Sequence, residues 1–396
     1  MIASEVRALF AVASRPEIVS LAGGMPPVDV LPLDAVAATV SELVLSRGAV
    51  ALQYGSAQGD PGLRARICDV MAMEGITDAH PDNMVVTAGS QQALDLLTRV
   101  FIDPGDVVVT EGPTYVTAIN TFAAYEARIV HVPMDGDGLS PAALAETLSR
   151  LAAEGARVKL LYTVPTFQNP GGITLTPPRR AEVIEVCRRA GVLVVEDNPY
   201  GLLSFTGEPV RAMRADAPDD VVYLGSFSKT LAPGLRVGWA LAPPAVTARL
   251  VLAAESAILS QSMFTQLAVE RYLATQPWAE QVKAFREMYR ERRDAMLDAL
   301  DEAMPPGATW TRPDGGFFVW VTLPDGVNTK AMLPRAIAAR VAYVPGIGFY
   351  ADGSGGTSMR LSYCYPSPER IREGVGRLGG VVRDELALRD TFGSRP

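Results

Sequence analysis

The chain has 396 residues, of which 48% are apolar and 20% charged, and its net charge is -8. This composition is typical of a globular protein with a large core, and the length suggests more than one domain. The acidic balance and the lack of a basic block argue against nucleic acid as a partner, and no apolar run approaches the roughly 20 residues of a membrane span.

Three scattered cysteines, Cys68, Cys187 and Cys364, argue against a disulfide framework and favour a reducing cytoplasm. With only His80 and His131, no metal site is expected.

The first two thirds of the chain alternate apolar, β-branched runs with helical patterns. The predicted strands are residues 83–89, 106–112, 127–133, 158–165, 192–198 and 221–227. A helix is predicted over 90–101, where Ser90 could act as the cap, and another over 177–191, which starts with proline and ends on glycine. Because the strands are continuous apolar runs, they predict a largely parallel sheet buried between helices.

The pattern changes after about residue 245. A long helical region is predicted from 245 to 303 with a break near Pro277, followed by strands around 315–323, 341–346 and 358–363. These elements predict a second, α+β domain. About 45 residues precede the first predicted strand, and we expect them to pack with that domain or with a partner.

Several polar residues follow predicted strands, where open α/β sheets bind their ligands. Gly89, Ser90 and Gln91 lie at a helix start that could bind an anion, although such a sequence is more often a plain helix cap. Asp197 ends one strand and Asn169 follows another; a capping aspartate and a turn residue before proline are the alternative readings. None of these signals is specific alone.

The stretch SFSKTLAPGLRVGW adds a lysine to this set. Only four of the 36 basic residues are lysines, and Lys229 is one of them. Ser226, Ser228 and Arg236 could bind a phosphate through hydroxyls and a guanidinium. A lysine beside a phosphate site, together with an aspartate at a strand end, is explained by a Schiff base with pyridoxal phosphate (PLP), in which Asp197 pairs with the pyridine nitrogen. A solvated lysine is the alternative for Lys229 taken alone.

The segment from Ser226 to Gly238 resembles the lysine signature of class I/II, fold-type I PLP aminotransferases. Other blocks resemble that family in the same order: TAGSQQAL, EGPTYV, PTFQNPGG, VVEDNPYG, RPDGGFFVW, VPGIGFY and MRLSY. The N-terminal blocks ASEVRAL, RPEIVSLAGGMPP and LQYG are most similar to the 2-aminoadipate and broad-range subgroup. The aminotransferase-like domain of MocR-type regulators is also similar.

The resemblance implies an α/β fold with two domains. A large PLP-binding domain, residues 48–283, would hold a mostly parallel seven-stranded sheet between helices. Residues 1–47 and 284–396 would form a smaller α+β domain with an N-terminal segment that caps the substrate. A homodimer with an active site shared between subunits is also implied.

The resemblance also implies a role for each site residue. Lys229 would form the Schiff base and shuttle the proton, and Asp197 would hold the pyridine nitrogen. Asn169 and Tyr200 would contact the phenolic oxygen of the cofactor, and Tyr115 would stack on its ring. The phosphate would be bound by Gly89, Ser90, Gln91, Ser226, Ser228 and Arg236, with Tyr54 from the neighbouring subunit. The substrate contacts would be Arg360 at the α-carboxylate, together with Asn169, Gly24 in the pocket, and Arg7 at the side chain. A solvated position on an amphipathic helix is the alternative for Arg7.

The expected function is transfer of an amino group from an L-α-amino acid to a 2-oxo acid, with 2-oxoglutarate and glutamate as one pair, in two half-reactions. Another PLP enzyme of the same fold, such as a β-lyase, decarboxylase, cyclase or oxidase, would share these residues and is the main alternative. A ligand-sensing module like that of MocR-type regulators is a second one. It is disfavoured because the aminotransferase pattern begins within the first few residues.

Overall fold

The structure is a computed structural model that describes residues 15–392. In chain order its strands are β1 (Val19–Ser20), β2 (Met84–Thr87), β3 (Val107–Gly112), β4 (Arg128–Asp135), β5 (Gly138–Leu139), β6 (Val158–Thr163), β7 (Leu193–Asp197), β8 (Val221–Ser226), β9 (Gly238–Leu241), β10 (Thr309–Trp310), β11 (Phe318–Thr322), β12 (Val341–Ala342), β13 (Val344–Pro345) and β14 (Ser358–Ser362). The α-helices are α1 (Leu33–Ala51), α2 (Pro61–Ala72), α3 (Ser90–Phe101), α4 (Val116–Ala124), α5 (Pro141–Ala153), α6 (Pro177–Ala190), α7 (Pro244–Ile258), α8 (Met263–Thr275), α9 (Trp278–Ala303), α10 (Thr329–Ala338) and α11 (Pro368–Phe392).

The largest sheet has eight strands in the order β2-β9-β8-β7-β6-β3-β4-β5. The five central strands β8, β7, β6, β3 and β4 pair in parallel, whereas β9 is antiparallel to both of its neighbours and β5 is antiparallel to β4. The parallel strands all end at one edge of the sheet, which brings the residues that follow them together.

Helices cover both faces of this sheet. Alternate residues of β3 belong to different core clusters: Val108 packs in one, while Val107 and Val109 pack in the other. Because successive side chains of a strand point to opposite faces, this division shows that both faces are buried. Burial on both sides explains the continuous valine and leucine runs that predict these strands from sequence.

A second, four-stranded sheet has the order β10-β11-β14-β13 and is antiparallel. The N-terminal strand β1 pairs in parallel with β12, and the backbone amide of Ser362 at the end of β14 donates to the carbonyl of Leu21. The segment that follows β1 is thereby held beside the second sheet.

The six predicted strands and the two predicted helices lie where the sequence indicates, but three expectations are corrected. The large sheet has eight strands instead of seven, since the two-residue β5 joins its edge; a strand that short leaves no periodic pattern. The region 245–303 forms three helices, with a second break between α7 and α8. Ser90 does not cap α3: Gly89 occupies the N-cap with φ 79° and ψ 166°, a conformation open essentially to glycine alone.

Within residues 15–392, no helix is both long and apolar enough to cross a membrane. The same part of the chain contains no group of three or more His, Cys, Asp or Glu side chains placed to hold a metal ion.

Candidate active site

A cavity of about 360 Å³ opens at the carboxyl ends of the parallel strands. It is formed where β7 and β8 end, where the loop after β6 passes, and where α3 and α4 begin. Most of the site residues predicted from sequence line it: Gly24, Ser90, Gln91, Tyr115, Asn169, Asp197, Tyr200, Ser226, Ser228, Lys229, Arg236 and Arg360. The structure thus brings together residues that are up to 336 positions apart in the chain (24 to 360).

Lys229 lies in the turn after β8 and is partly buried. Its Nζ donates a hydrogen bond to the carbonyl oxygen of Gly24 at 2.9 Å and lies 5.7 Å from the ring centroid of Phe317. Burial lowers the pKa of Lys229 to about 8, and the positive charges of Arg360 and Arg236 act in the same direction. Near neutral pH, part of the Lys229 population is therefore unprotonated, and its amine can act as a nucleophile or base.

Asp197, the last residue of β7, is buried at the floor of the cavity. The Tyr162 hydroxyl donates to its Oδ2 at 2.8 Å, whereas its buried Oδ1 has no hydrogen-bond partner. Burial raises the pKa of Asp197 to about 6, while the Tyr162 hydrogen bond and the charge of Lys229 oppose that shift. Asp197 is therefore ionised at neutral pH, with one oxygen free to accept a hydrogen bond from a bound group.

The serines and the arginine of the SFSKTLAPGLR stretch form one polar cluster. Ser226 Oγ donates to Ser228 Oγ at 2.8 Å, and Arg236 donates through Nη1 to Ser228 Oγ at 3.5 Å and through Nη2 to the Ala88 carbonyl at 2.6 Å. A Cβ atom at Gly89 would lie 2.4 Å from Arg236 Nη2, so only glycine leaves room for the guanidinium. Hydroxyls, a guanidinium and the free amides of a helix N-terminus are the groups that bind phosphate.

Gln91, also at the start of α3, is directed partly away from this cluster. Its Nε2 donates to Thr121 Oγ1 of α4 at 2.8 Å, and its Oε1 is buried without a hydrogen-bond partner. An amide held in this way lines the cavity with one of its two N–H donors engaged by the neighbouring helix.

Arg360 lies on β14 and is buried. It donates through Nη1 to Asn169 Oδ1 at 2.9 Å and through Nη2 to the Ala22 carbonyl at 2.7 Å, while its Nε has no partner. Its guanidinium stacks 4.1 Å from the ring centroid of Phe318. Burial lowers the pKa of Arg360 to about 10, which still leaves it fully charged at neutral pH. A buried cation without a carboxylate partner is a binding site for an anionic group.

Two tyrosines border the cavity between these clusters. Tyr200 is buried and meets Phe318 edge to face at 6.0 Å, and burial raises its pKa well above the ordinary range. Tyr115 immediately precedes α4, and burial raises its pKa also. Both phenols are therefore neutral hydrogen-bond donors at physiological pH.

Within the described part of the chain, the predicted residues Gly89 and Tyr54 are not among those that line the cavity. Tyr54 is 76% exposed and is not among the lining residues of its own chain. Arg7 lies outside the described residues. Sequence reasoning in turn missed Tyr162 and Phe318, because an aromatic residue in an apolar strand has the same pattern as ordinary core.

The polar groups of the cavity fit pyridoxal phosphate. The unpartnered Oδ1 of Asp197 suits a protonated pyridine nitrogen, and the amine of Lys229 suits the aldehyde. The Ser226, Ser228 and Arg236 cluster suits the phosphate, and the glycine at position 89 keeps the space beside it open.

Comparison with known proteins gives the same identification. A family model described as aminotransferase class I and II matches residues 16–378. Aromatic-amino-acid aminotransferase 1 of Thermococcus litoralis is 42% identical over 387 residues, which is 98% of this chain and 93% of that protein.

Solved structures match over nearly the whole chain. The kynurenine aminotransferase of Pyrococcus horikoshii, solved in complex with PMP, is 41% identical with a TM-score of 0.93, covering 98% of this chain and 96% of that one. LysN, the α-aminoadipate aminotransferase of Thermus thermophilus, was solved with N-(5'-phosphopyridoxyl)-L-leucine. It is 38% identical with a TM-score of 0.90 and the same coverage.

A Bacillus subtilis protein named as an uncharacterized HTH-type transcriptional regulator is more distant. It is 29% identical, and the match covers 93% of this chain but 74% of that protein. The subgroup resemblance noted from the N-terminal blocks is thus confirmed, with regulators as remoter relatives. The chain belongs to the aminotransferase class I and II family and is a PLP-dependent aminotransferase of fold type I.

Proposed function

We propose that this aminotransferase moves the amino group of an L-α-amino acid with a large apolar or aromatic side chain to 2-oxoglutarate. The assignment of roles rests on three groups that surround the cavity. They are the unpartnered Oδ1 of Asp197, the amine of Lys229 with its lowered pKa, and the buried guanidinium of Arg360. Bound PLP supplies an electron-withdrawing ring that stabilises negative charge at the α-carbon of a bound amino acid.

Lys229 is the group that binds the cofactor covalently and moves the proton at the substrate α-carbon. Burial brings its pKa to about 8, close to the pH at which the enzyme must both accept and return a proton. Near pH 8 neither form of the amine dominates, so the same nitrogen can serve as base and as acid. A positioned group of this kind contributes roughly 10²–10⁴-fold to the rate.

Arg360 binds the substrate α-carboxylate. Its Nε has no partner, and its Nη2 donates only to the Ala22 carbonyl. A substrate carboxylate can therefore replace the Ala22 carbonyl and accept a bidentate hydrogen bond from Nε and Nη2. Asn169, which accepts from Nη1, keeps the guanidinium plane fixed during that exchange. Fixing the carboxylate aligns the α-carbon with Lys229.

Asp197 would hold the pyridine nitrogen in its protonated form, and the Tyr162 hydroxyl fixes the Asp197 carboxylate through Oδ2. Tyr200 and Asn169 would bind the phenolic oxygen, and Tyr115 would cover the ring. The phosphate would be bound by Gly89, Ser90, Gln91, Ser226, Ser228 and Arg236.

The substrate side chain is inferred from the remaining lining residues. Met25, Val116 and Phe318 are apolar, and the cations that line the described part of the cavity are already assigned to cofactor and α-carboxylate. We therefore expect an apolar or aromatic side chain beside Gly24, in line with the names of several relatives. For the acidic side chain of glutamate, the proposed counter-ion is Arg7.

We also propose a homodimer in which Tyr54 of the partner subunit reaches the phosphate cup. Leu45 in α1 and Leu52 directly after it are 86% and 75% exposed. The Tyr54 loop contacts the segment after α7 through a hydrogen bond from Gly55 N to Ser260 Oγ, and the neighbouring Leu259 is also exposed. Large apolar side chains exposed near the Tyr54 loop are compatible with a subunit interface.

The division into a large domain, 48–283, and a small one, 1–47 with 284–396, is a further proposal, supported by the pairing of β1 with β12. A cytoplasmic location is proposed from the three free cysteines. We propose no nucleic-acid or membrane partner for this enzyme.

The lysine assignment is tested by reducing the PLP-loaded protein with borohydride and mapping the label by mass spectrometry. The chain offers its own controls, because it has only three other lysines: Lys159, Lys283 and Lys330. We expect the label on Lys229 alone. A label on another lysine, or an unlabelled protein that still transaminates, would contradict the assignment.

A further inference from the structure

The loop that follows β6 carries Asn169, and contacts with other segments hold the backbone conformation of this loop. Phe167 has φ 50°, a left-handed conformation that is uncommon for a residue other than glycine. A backbone of this kind persists only where surrounding contacts hold it. The neighbouring Asn169 contacts Arg360, so those contacts also decide where Arg360 points.

Gln168 supplies contacts on both sides of the loop. It is 1% exposed, and its Nε2 donates to the Pro113 carbonyl at 2.7 Å. Its Oε1 accepts from the backbone amide of Gly171 at 2.6 Å. The side-chain amide thus ties the loop that carries Asn169 to the segment after β3.

Glu111, near the end of β3, orients this amide. It is 1% exposed and accepts hydrogen bonds from Thr163 Oγ1 at 2.5 Å, from Val164 N at 3.1 Å and from Gln168 Nε2 at 3.2 Å. Burial raises the pKa of Glu111, and these three donors act in the opposite direction. A carboxyl group accepts on both oxygens here, which forces Gln168 to present its NH₂ group to it and its oxygen to Gly171.

We propose that Glu111 is a positioning residue for the substrate carboxylate site, because it orients Gln168, which sets Asn169 against Arg360. The inference rests on the proposed role of Arg360. Glu111 acts on the substrate carboxylate site only indirectly, through the conformation of the loop that follows β6. A loosened Asn169 would let the Arg360 guanidinium leave its position and would weaken the hold on the carboxylate.

The direct test is Glu111→Leu. Leucine offers no acceptor to Gln168 Nε2, so the side-chain amide of Gln168 loses the contact that fixes its orientation. We expect KM to rise about tenfold or more for both the amino acid and the 2-oxo acid, since both carry the carboxylate, with kcat changed less than about threefold. Hydrogen exchange of residues 165–175 in the PLP-loaded enzyme without substrate should accelerate.

Asp106→Asn is the matched control. Asp106 is a fully buried carboxylate immediately before the start of β3, held by Asp103 N at 3.0 Å and by Arg157 Nε at 2.8 Å. Its substitution should lower the melting temperature while leaving both KM values and the exchange of residues 165–175 unchanged.

Glu111→Gln is the conservative variant, because its oxygen can still accept from Val164 N and Gln168 Nε2 while its NH₂ group donates to the Thr163 hydroxyl. Most of the KM rise seen in Glu111→Leu should therefore be absent from Glu111→Gln. If Glu111→Leu does not fold, Glu111→Asp serves instead, because it withdraws the carboxylate by one methylene and should raise KM in the same direction.

An unchanged KM in folded Glu111→Leu or Glu111→Asp would overturn the proposal, as would an equal rise in Asp106→Asn or in Glu111→Gln. Arg360→Ala tests the role of Arg360 separately from the role of Glu111. If Arg360→Ala leaves KM unchanged, the carboxylate role of Arg360 is wrong; if it raises KM and Glu111→Leu does not, only the positioning role of Glu111 is wrong.

Discussion

Replacing Gly89 by alanine should weaken PLP binding in addition to straining the backbone. Gly89 has φ 79° and ψ 166°, and a Cβ atom there would lie 2.4 Å from Arg236 Nη2. The guanidinium must move, which removes its hydrogen bond to Ala88 and its place beside Ser228. A hydrogen bond to a charged group is worth about 1.5–3 kcal/mol, so the Kd for PLP should rise roughly 10–100-fold.

The assay is titration of the apoenzyme with PLP, followed by visible absorbance, with thermal unfolding of the apoenzyme recorded in parallel. Gly105→Ala is the matched control, because Gly105 also has a positive φ of 84° but nothing lies within 4 Å of the added Cβ. It should lose about 1 kcal/mol of stability or somewhat more from backbone strain, with the Kd for PLP unchanged. A Kd in Gly89→Ala equal to that of Gly105→Ala would refute the reasoning.

Two further predictions concern buried carboxyl groups. Asp197→Asn should lower kcat about 10²–10³-fold while PLP remains bound, since it removes the charge that holds the pyridine nitrogen protonated; single-turnover rates within tenfold of the wild type would contradict this. Glu74, which accepts from Tyr223 and Asn198, has its pKa raised by burial to about 8 from an ordinary value of 4.5. Between pH 4.5 and about pH 8, Glu74 keeps a proton in the folded state that it loses in the unfolded state. The free energy of unfolding should therefore fall by up to about 1.4 kcal/mol per pH unit as the pH rises. Glu74→Gln should remove this slope in urea unfolding between pH 5.5 and 7.5, and an identical slope in both proteins would exclude the assignment.

The strand ends could be predicted from sequence because their signals are local. A continuous apolar run followed by a polar residue marks both the strand and the edge at which it ends, and this places Asp197 and Asn169 correctly. Lys229 needed the serines and the arginine beside it, since one lysine alone has no distinctive pattern.

What the sequence did not predict depends on packing between distant segments. Tyr162 reads as a core aromatic residue in its strand, and only the alignment of β6 with β7 places its hydroxyl on Asp197. Glu111 and Gln168 are 57 positions apart, and nothing in either local pattern indicates that both are buried and in contact. The two-residue strand β5 likewise follows from the turn after β4 and has no periodicity of its own.

Amino-group transfer is tested most directly by the visible absorbance spectrum of the PLP-loaded enzyme. The spectrum is recorded before and after adding L-phenylalanine and other L-amino acids one at a time, and again after adding 2-oxoglutarate. We expect an apolar or aromatic amino acid to remove the visible band and 2-oxoglutarate to restore it. A band that is lost with release of ammonia, or that 2-oxoglutarate fails to restore, would contradict amino-group transfer between these substrates.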